Sequence, residues 1–125
     1  MRAPALALLF TLTLPPLHAE DPTGARRVKF LNYPDCIELT NSVGTVAVLG
    51  HHVGGRVLKF SQDGKDALYL DPTEAEWSPN SEKKPASAGR FDIGPEYLIP
   101  DHPLLWSGAW EAEITGPRSA RLTSQ

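Results

Sequence analysis

Cysteine is almost absent: Cys36 is the only one in 125 residues. No disulfide can close within the chain, and a multi-cysteine zinc site is excluded. A lone cysteine between two apolar-patterned segments reads as a small buried residue. Basic clusters are missing as well. There are 12 Lys and Arg against 15 Asp and Glu, and no cluster exceeds Arg26-Arg27 or Lys83-Lys84. Nothing in that balance attracts a polyanion, so no nucleic-acid partner is expected. No window carries a sustained 3.6-residue apolar period, which predicts low helix content. Neither a phosphate-cradling glycine pattern nor a GxSxG elbow occurs, and no Ser, His and Asp set has triad-like spacing. No cofactor and no metal are expected.

What is present begins with a leader-like N-terminus. Arg2 precedes the apolar run Ala5 to Leu14, then Pro15-Pro16, then Leu17-His18-Ala19 before Glu20-Asp21. That is a positive n-region, a short h-region and a small residue at the cut. The run is too short for a bilayer-spanning helix, which takes roughly 20 residues. Residues 1–19 are therefore read as a cleavable signal peptide, 20–27 as a linker and 28–125 as the folded part. The protein is expected to be secreted or periplasmic, with no membrane attachment after cleavage.

From residue 28 onward apolar residues recur at every second position in short runs, separated by Gly, Pro, Asn and Asp. That period is the strand's, not the helix's. Val28 and Phe30, Ile37 and Leu39, and the run Thr45 to Leu49 read as consecutive antiparallel strands, the last apolar on both faces. Asp63-Gly64 between Arg56–Gln62 and Lys65–Leu70 predicts a tight hairpin, because a type I′ turn needs positive φ at both central positions. A second hairpin is predicted from Trp110-Ala112-Ile114 and Ala120-Leu122 about Gly116-Pro117. Between the hairpins, the Pro-rich stretch Asp71 to Gly89 has little periodicity and reads as a functional loop, a packing flap or a disordered segment. The expected fold class is an all-β, antiparallel β-sandwich. The last strand ends at Gln125 with its outer edge unpaired, which leads us to expect a piece of a longer protein.

Several constellations could carry chemistry. His51-His52 follow the apolar strand; on an extended segment adjacent side chains point to opposite faces and cannot share a metal, and the pair reads as a solvated or partly buried turn pair. Gly54-Gly55 reads as a sharp bend or a close backbone approach. In Arg90-Phe91-Asp92-Ile93-Gly94-Pro95-Glu96, with Phe91 and Ile93 turned to the core, Arg90 and Asp92 share the other face and Glu96 follows a bend toward them. A guanidinium and two carboxylates either bind sugar hydroxyls or simply pair with one another at the surface. Trp77 and Trp106 lie in irregular segments, where large aromatics either stack on sugar rings or plug the end of a sandwich.

Cys36-Ile37-Glu38-Leu39-Thr40-Asn41, Gly54-Gly55-Arg56, Asp63-Gly64-Lys65, the Pro/Trp-rich stretch and Arg90 to Glu96 together resemble an uncharacterised bacterial family. It is catalogued as domain of unknown function 4380 and is similar to the galactose mutarotase superfamily. The likeness spans about residues 28–125. It implies the N-terminal portion of a mutarotase-like β-supersandwich that binds carbohydrate on its concave face. In mutarotase-like enzymes a histidine acid and a glutamate base ring-open the sugar; the resemblance places both beyond the matched region, so it assigns no catalytic residue here. Sugar epimerases of the superfamily carry a Gly-Arg pair followed by an Asn-Arg pair; Gly89-Arg90 looks like the first, while Ile93-Gly94 stands where the second would be, which argues against epimerase activity. The candidate sugar contacts are Arg90, Asp92, Glu96, Trp77 and Trp106. The expected function is an exported carbohydrate-binding segment, whose full-length parent, if an enzyme, would have an isomerase-like activity; the alternative is a non-enzymatic exported β-sandwich acting as a binding or structural module.

Overall fold

A computed structural model describes residues 23–82, 87–91 and 93–125, apart from the side chain of Glu96. The signal-peptide assignment falls outside these residues. Among them no helix is long and apolar enough to cross a membrane.

The chain is all-β and antiparallel. Strands β1 (Gly24–Phe30), β2 (Tyr33–Thr40), β3 (Thr45–Gly50), β4 (Arg56–Gln62) and β5 (Lys65–Asp66) form a meander in sequence order, and β6 (Gly89–Arg90) pairs with the other end of β4. A five-residue helix α1 (Pro103–Ser107) precedes a separate hairpin of β7 (Trp110–Gly116) and β8 (Ser119–Ser124). Both predicted hairpins form. At the first, Asp63 and Gly64 take φ of 50° and 77°, the positive values a primed turn demands. Its second arm is only two residues long, because Ala67 makes the last backbone bond, to Phe60 at 2.8 Å, before the chain departs.

The folded part starts earlier than residue 28. Strand β1 opens at Gly24 and pairs Gly24 with Thr40, so half of the expected linker belongs to the sheet. Arg26 pairs with Glu38 at 2.5 Å and Arg27 with Asp35 at 3.2 Å.

The core lies on one face of the large sheet and joins Tyr33, Cys36, Val48, Val53, Leu58 and Trp77. Cys36 is fully buried, as its apolar surroundings predicted. Ile37, also fully buried, stands outside that cluster; strand alternation turns it to the opposite face. On that side β7 lies against β1 and β2. Backbone bonds tie the hairpin to the large sheet, from Ala25 N–H to the Pro117 carbonyl (2.8 Å) and from Trp110 N–H to the His51 carbonyl (2.7 Å).

The Gly54-Gly55 bend is a close approach, as expected. A Cβ on Gly54, whose φ is +69°, would stand 2.7 Å from the Trp106 carbonyl oxygen, and one on Gly55 would stand 2.5 Å from the Trp110 ring. Only hydrogen fits in either place.

One sequence expectation fails. Phe91 and Ile93 are exposed, not in the core, because β6 stays on the sheet for only Gly89 and Arg90, and strand alternation lapses where the pairing stops. The His51 and His52 rings do not point to opposite faces; their centroids lie 4.1 Å apart. Strand β3 ends at Gly50, so the two histidines sit in the bend that follows, as the partly buried turn pair that the sequence favoured.

Candidate functional site

The Pro-rich stretch is a packing flap over its first part. Asp71 caps a 3-10 turn (Pro72–Glu76) by accepting from Thr73 N–H at 2.9 Å, with Pro72 at the first helical position, where its missing N–H costs nothing. The turn delivers Glu74 and Trp77 inward, and both are buried.

Glu74 meets Arg56 from β4 in a two-pronged pair, Arg56 Nη2 to Oε1 at 2.6 Å and Nη1 to Oε2 at 3.2 Å. Tyr33 donates its hydroxyl to Oε2, and Ser87 donates its Oγ–H to Oε1 at 2.6 Å. Ser87 Oγ in turn accepts from Asp71 N–H at 2.9 Å, and the Ser87 carbonyl accepts from Arg56. Both charges are sealed from water: Arg56 is 1% exposed and Glu74 0%. Burial by itself would raise the Glu74 pKa, but the bonds from Arg56, Ser87 and Tyr33 outweigh it and hold the carboxyl below its ordinary value. Burial and the bond to Glu74 push the Tyr33 hydroxyl well above its own.

Beside this network is an aromatic stack. Trp77 lies parallel to Tyr33, with centroids 4.4 Å apart, and tilted to His52 at 5.8 Å. Burial, then the neighbouring His51, lower the His52 pKa to about 4. Trp77, expected as a sugar platform, is thus a core residue with one face covered by Tyr33. Of the other expected contacts, Arg90 and Trp106 are brought together, with the guanidinium carbon 5.9 Å from the indole centroid and His102 edge-on to the same ring at 6.2 Å. Asp92 and the Glu96 side chain lie outside the described residues.

A polar groove lies elsewhere, where the hairpin meets the large sheet. It has a volume of about 340 Å³. Glu111 and Glu113 share one face of β7, opposite Thr123 and Arg121 on β8. Arg27, Asp35 and His51 form the facing wall, and Trp110 closes one end. Arg27 donates to the Asp35 carboxylate, to the Asp35 carbonyl (3.0 Å) and to the Ala112 carbonyl, bridging the two sheets. Arg121 pairs with Glu113 at 3.4 Å. The His51 ring stands 3.0 Å from the Trp110 carbonyl through Nδ1 and 3.2 Å from the Asp35 carbonyl through Nε2. Among the described residues the Glu111 carboxylate makes no bond or ion pair. The groove therefore presents carboxylates, guanidinia, an imidazole and an indole to one volume, a set that can both donate to and accept from a polyhydroxylated ligand. No group of three or more metal-ligating side chains occurs among the described residues.

No family model, curated protein or solved structure matches the chain.

Sequence reasoning missed this groove, because its walls come from residues far apart in the chain. Arg27 and Ala112 are 85 positions apart. The outward alternation of Glu111 and Glu113 was the one available sign.

Proposed function

We propose that the chain is an exported carbohydrate-binding β-domain of mutarotase-like kind, taking a saccharide in the groove between the hairpin and the large sheet. The groove's lining carries this reading. Its volume falls at the lower end of small-molecule sites, roughly 300–1,000 Å³. It joins planar hydrogen-bonding side chains to an aromatic ring, as a sugar's hydroxyls and C–H faces require. The leader-like N-terminus supports a compartment where free saccharides are met.

The test is a glycan array followed by titration calorimetry on the full chain. Glu111→Ala, which gives up no carboxylate bond among the described residues, is expected to weaken saccharide binding about tenfold, or ~1.4 kcal/mol, at an unchanged melting temperature. A domain that serves only as a structural module would bind no saccharide at millimolar concentration, and that result would overturn the proposal.

A further inference from the structure

A second cavity begins one residue from the groove, on the His52 side of the His51-His52 pair. It measures about 300 Å³ and is lined by His52, Trp77, Pro79, Ser107 and Ala109. Two buried polar atoms of its lining residues, Trp77 Nε1 and His52 Nδ1, have no hydrogen-bond partner among the described residues. Trp77 is only 4% exposed, and a buried N–H left unpaired is rare because it costs about 1–3 kcal/mol.

We propose that this cavity is a subsite for a neutral, hydroxyl-bearing group. The lining dictates the chemistry. Among the described residues no Arg, Lys, Asp or Glu contributes to the lining, so none of them neutralises an ionic ligand. An indole N–H only donates, so the ligand must accept. Ser107 spends its hydrogen on the Pro103 carbonyl at 3.0 Å, which leaves its oxygen free to accept, so the ligand must also donate. A neutral imidazole serves either role according to its tautomer, and the depressed His52 pKa is consistent with that neutral form. A hydroxyl meets these demands together. A single water does too, but the cavity is several times a water's share of liquid volume, roughly 30 Å³.

The flap that carries Trp77 forms one wall, and the Glu74 network beneath it fixes that wall in place. The subsite is separate from the groove and does not depend on it.

Indole N–H resonances distinguish the two sites, since the chain has three tryptophans and Trp110 Nε1 is already bonded to the Leu104 carbonyl at 3.3 Å. The full chain, labelled with nitrogen-15, is titrated with methyl glucoside and separately with acetate. The Trp77 indole resonance is expected to shift saturably with methyl glucoside and not with acetate. Trp77→Phe, which deletes the unpaired N–H and keeps a ring on Tyr33, should weaken binding about fivefold, at a melting temperature lowered by the smaller ring's lost core packing. Should Trp77→Phe fail to fold, Ser107→Ala is the second variant, expected to weaken binding about threefold. A Trp77 resonance that contacts water alone and ignores methyl glucoside overturns the subsite. If the Trp110 resonance moves in the same titration, the groove proposal stands without it.

Discussion

Replacing Glu74 with alanine would leave the Arg56 guanidinium sealed under the flap with its countercharge gone. The pair is two-pronged, both partners are essentially inaccessible, and Tyr33 and Ser87 satisfy further positions on the carboxylate. Breaking such a pair from one side costs about 3–5 kcal/mol, a large share of the roughly 5–15 kcal/mol that holds a domain together. With a urea m-value of about 1.5 kcal/mol/M, the midpoint should fall by roughly 2–3 M. Arg56→Met should cost a similar amount, because it strands the carboxylate. The double variant Arg56→Met with Glu74→Leu removes both charges and should recover most of the loss. Urea unfolding followed by tryptophan fluorescence and by circular dichroism, closed into a double-mutant cycle, reads the coupling directly. Single-variant costs below about 1 kcal/mol, the range of an exposed ion pair, would refute the claim that this network fixes the flap.

Acid should loosen the same region in two steps. Between pH 6.5 and about 4 the unfolded chain binds a proton at His52 that the folded chain refuses, so stability declines across that window, by about 2–3 kcal/mol at most given partial solvent access to the ring. Below about pH 4.5 the stabilising Glu74 carboxylate, whose folded pKa is depressed, is lost in turn; urea midpoints from pH 7 to 3 test both, and His52→Gln should flatten the upper window alone. Gly55→Ala should destabilise by about 1–3 kcal/mol, because its Cβ would meet the Trp110 ring at 2.5 Å. Gly64→Ala, with open space but φ of +77°, should cost only about 1 kcal/mol of backbone strain; the two melting temperatures compared separate packing from conformation. Cys36, buried and with its thiol pushed up to about 11 chiefly by that burial, should resist iodoacetamide at pH 8 in the native protein and react readily in denaturant.

The meander, both hairpins and the buried cysteine were legible in the sequence, since each follows from a short-range rule. Side chains alternate every second residue, Asp-Gly tolerates positive φ, and a lone cysteine among apolar residues is taken into the core. The same rule misled at Phe91 and Ile93, where the alternation continues on paper but the strand has already left the sheet. At His51-His52 the rule does not apply, since they form the turn pair that the sequence favoured.

The sequence alone determined an antiparallel sheet with its turns in place, because strand period and turn chemistry act between residues a few positions apart. Tertiary structure decided which charges are buried together, where the flap lands and which walls face each other across the groove. Glu74 stands 41 positions from Tyr33 and 18 from Arg56, and Arg27 stands 85 from Ala112. Nothing local to Glu74 marks it as buried: a glutamate in a Pro-rich stretch reads as solvated until the sheet supplies the guanidinium, the hydroxyls and the dry surroundings that make its burial affordable. Trp77 followed the same logic, its place in the core set by the turn that carries it inward.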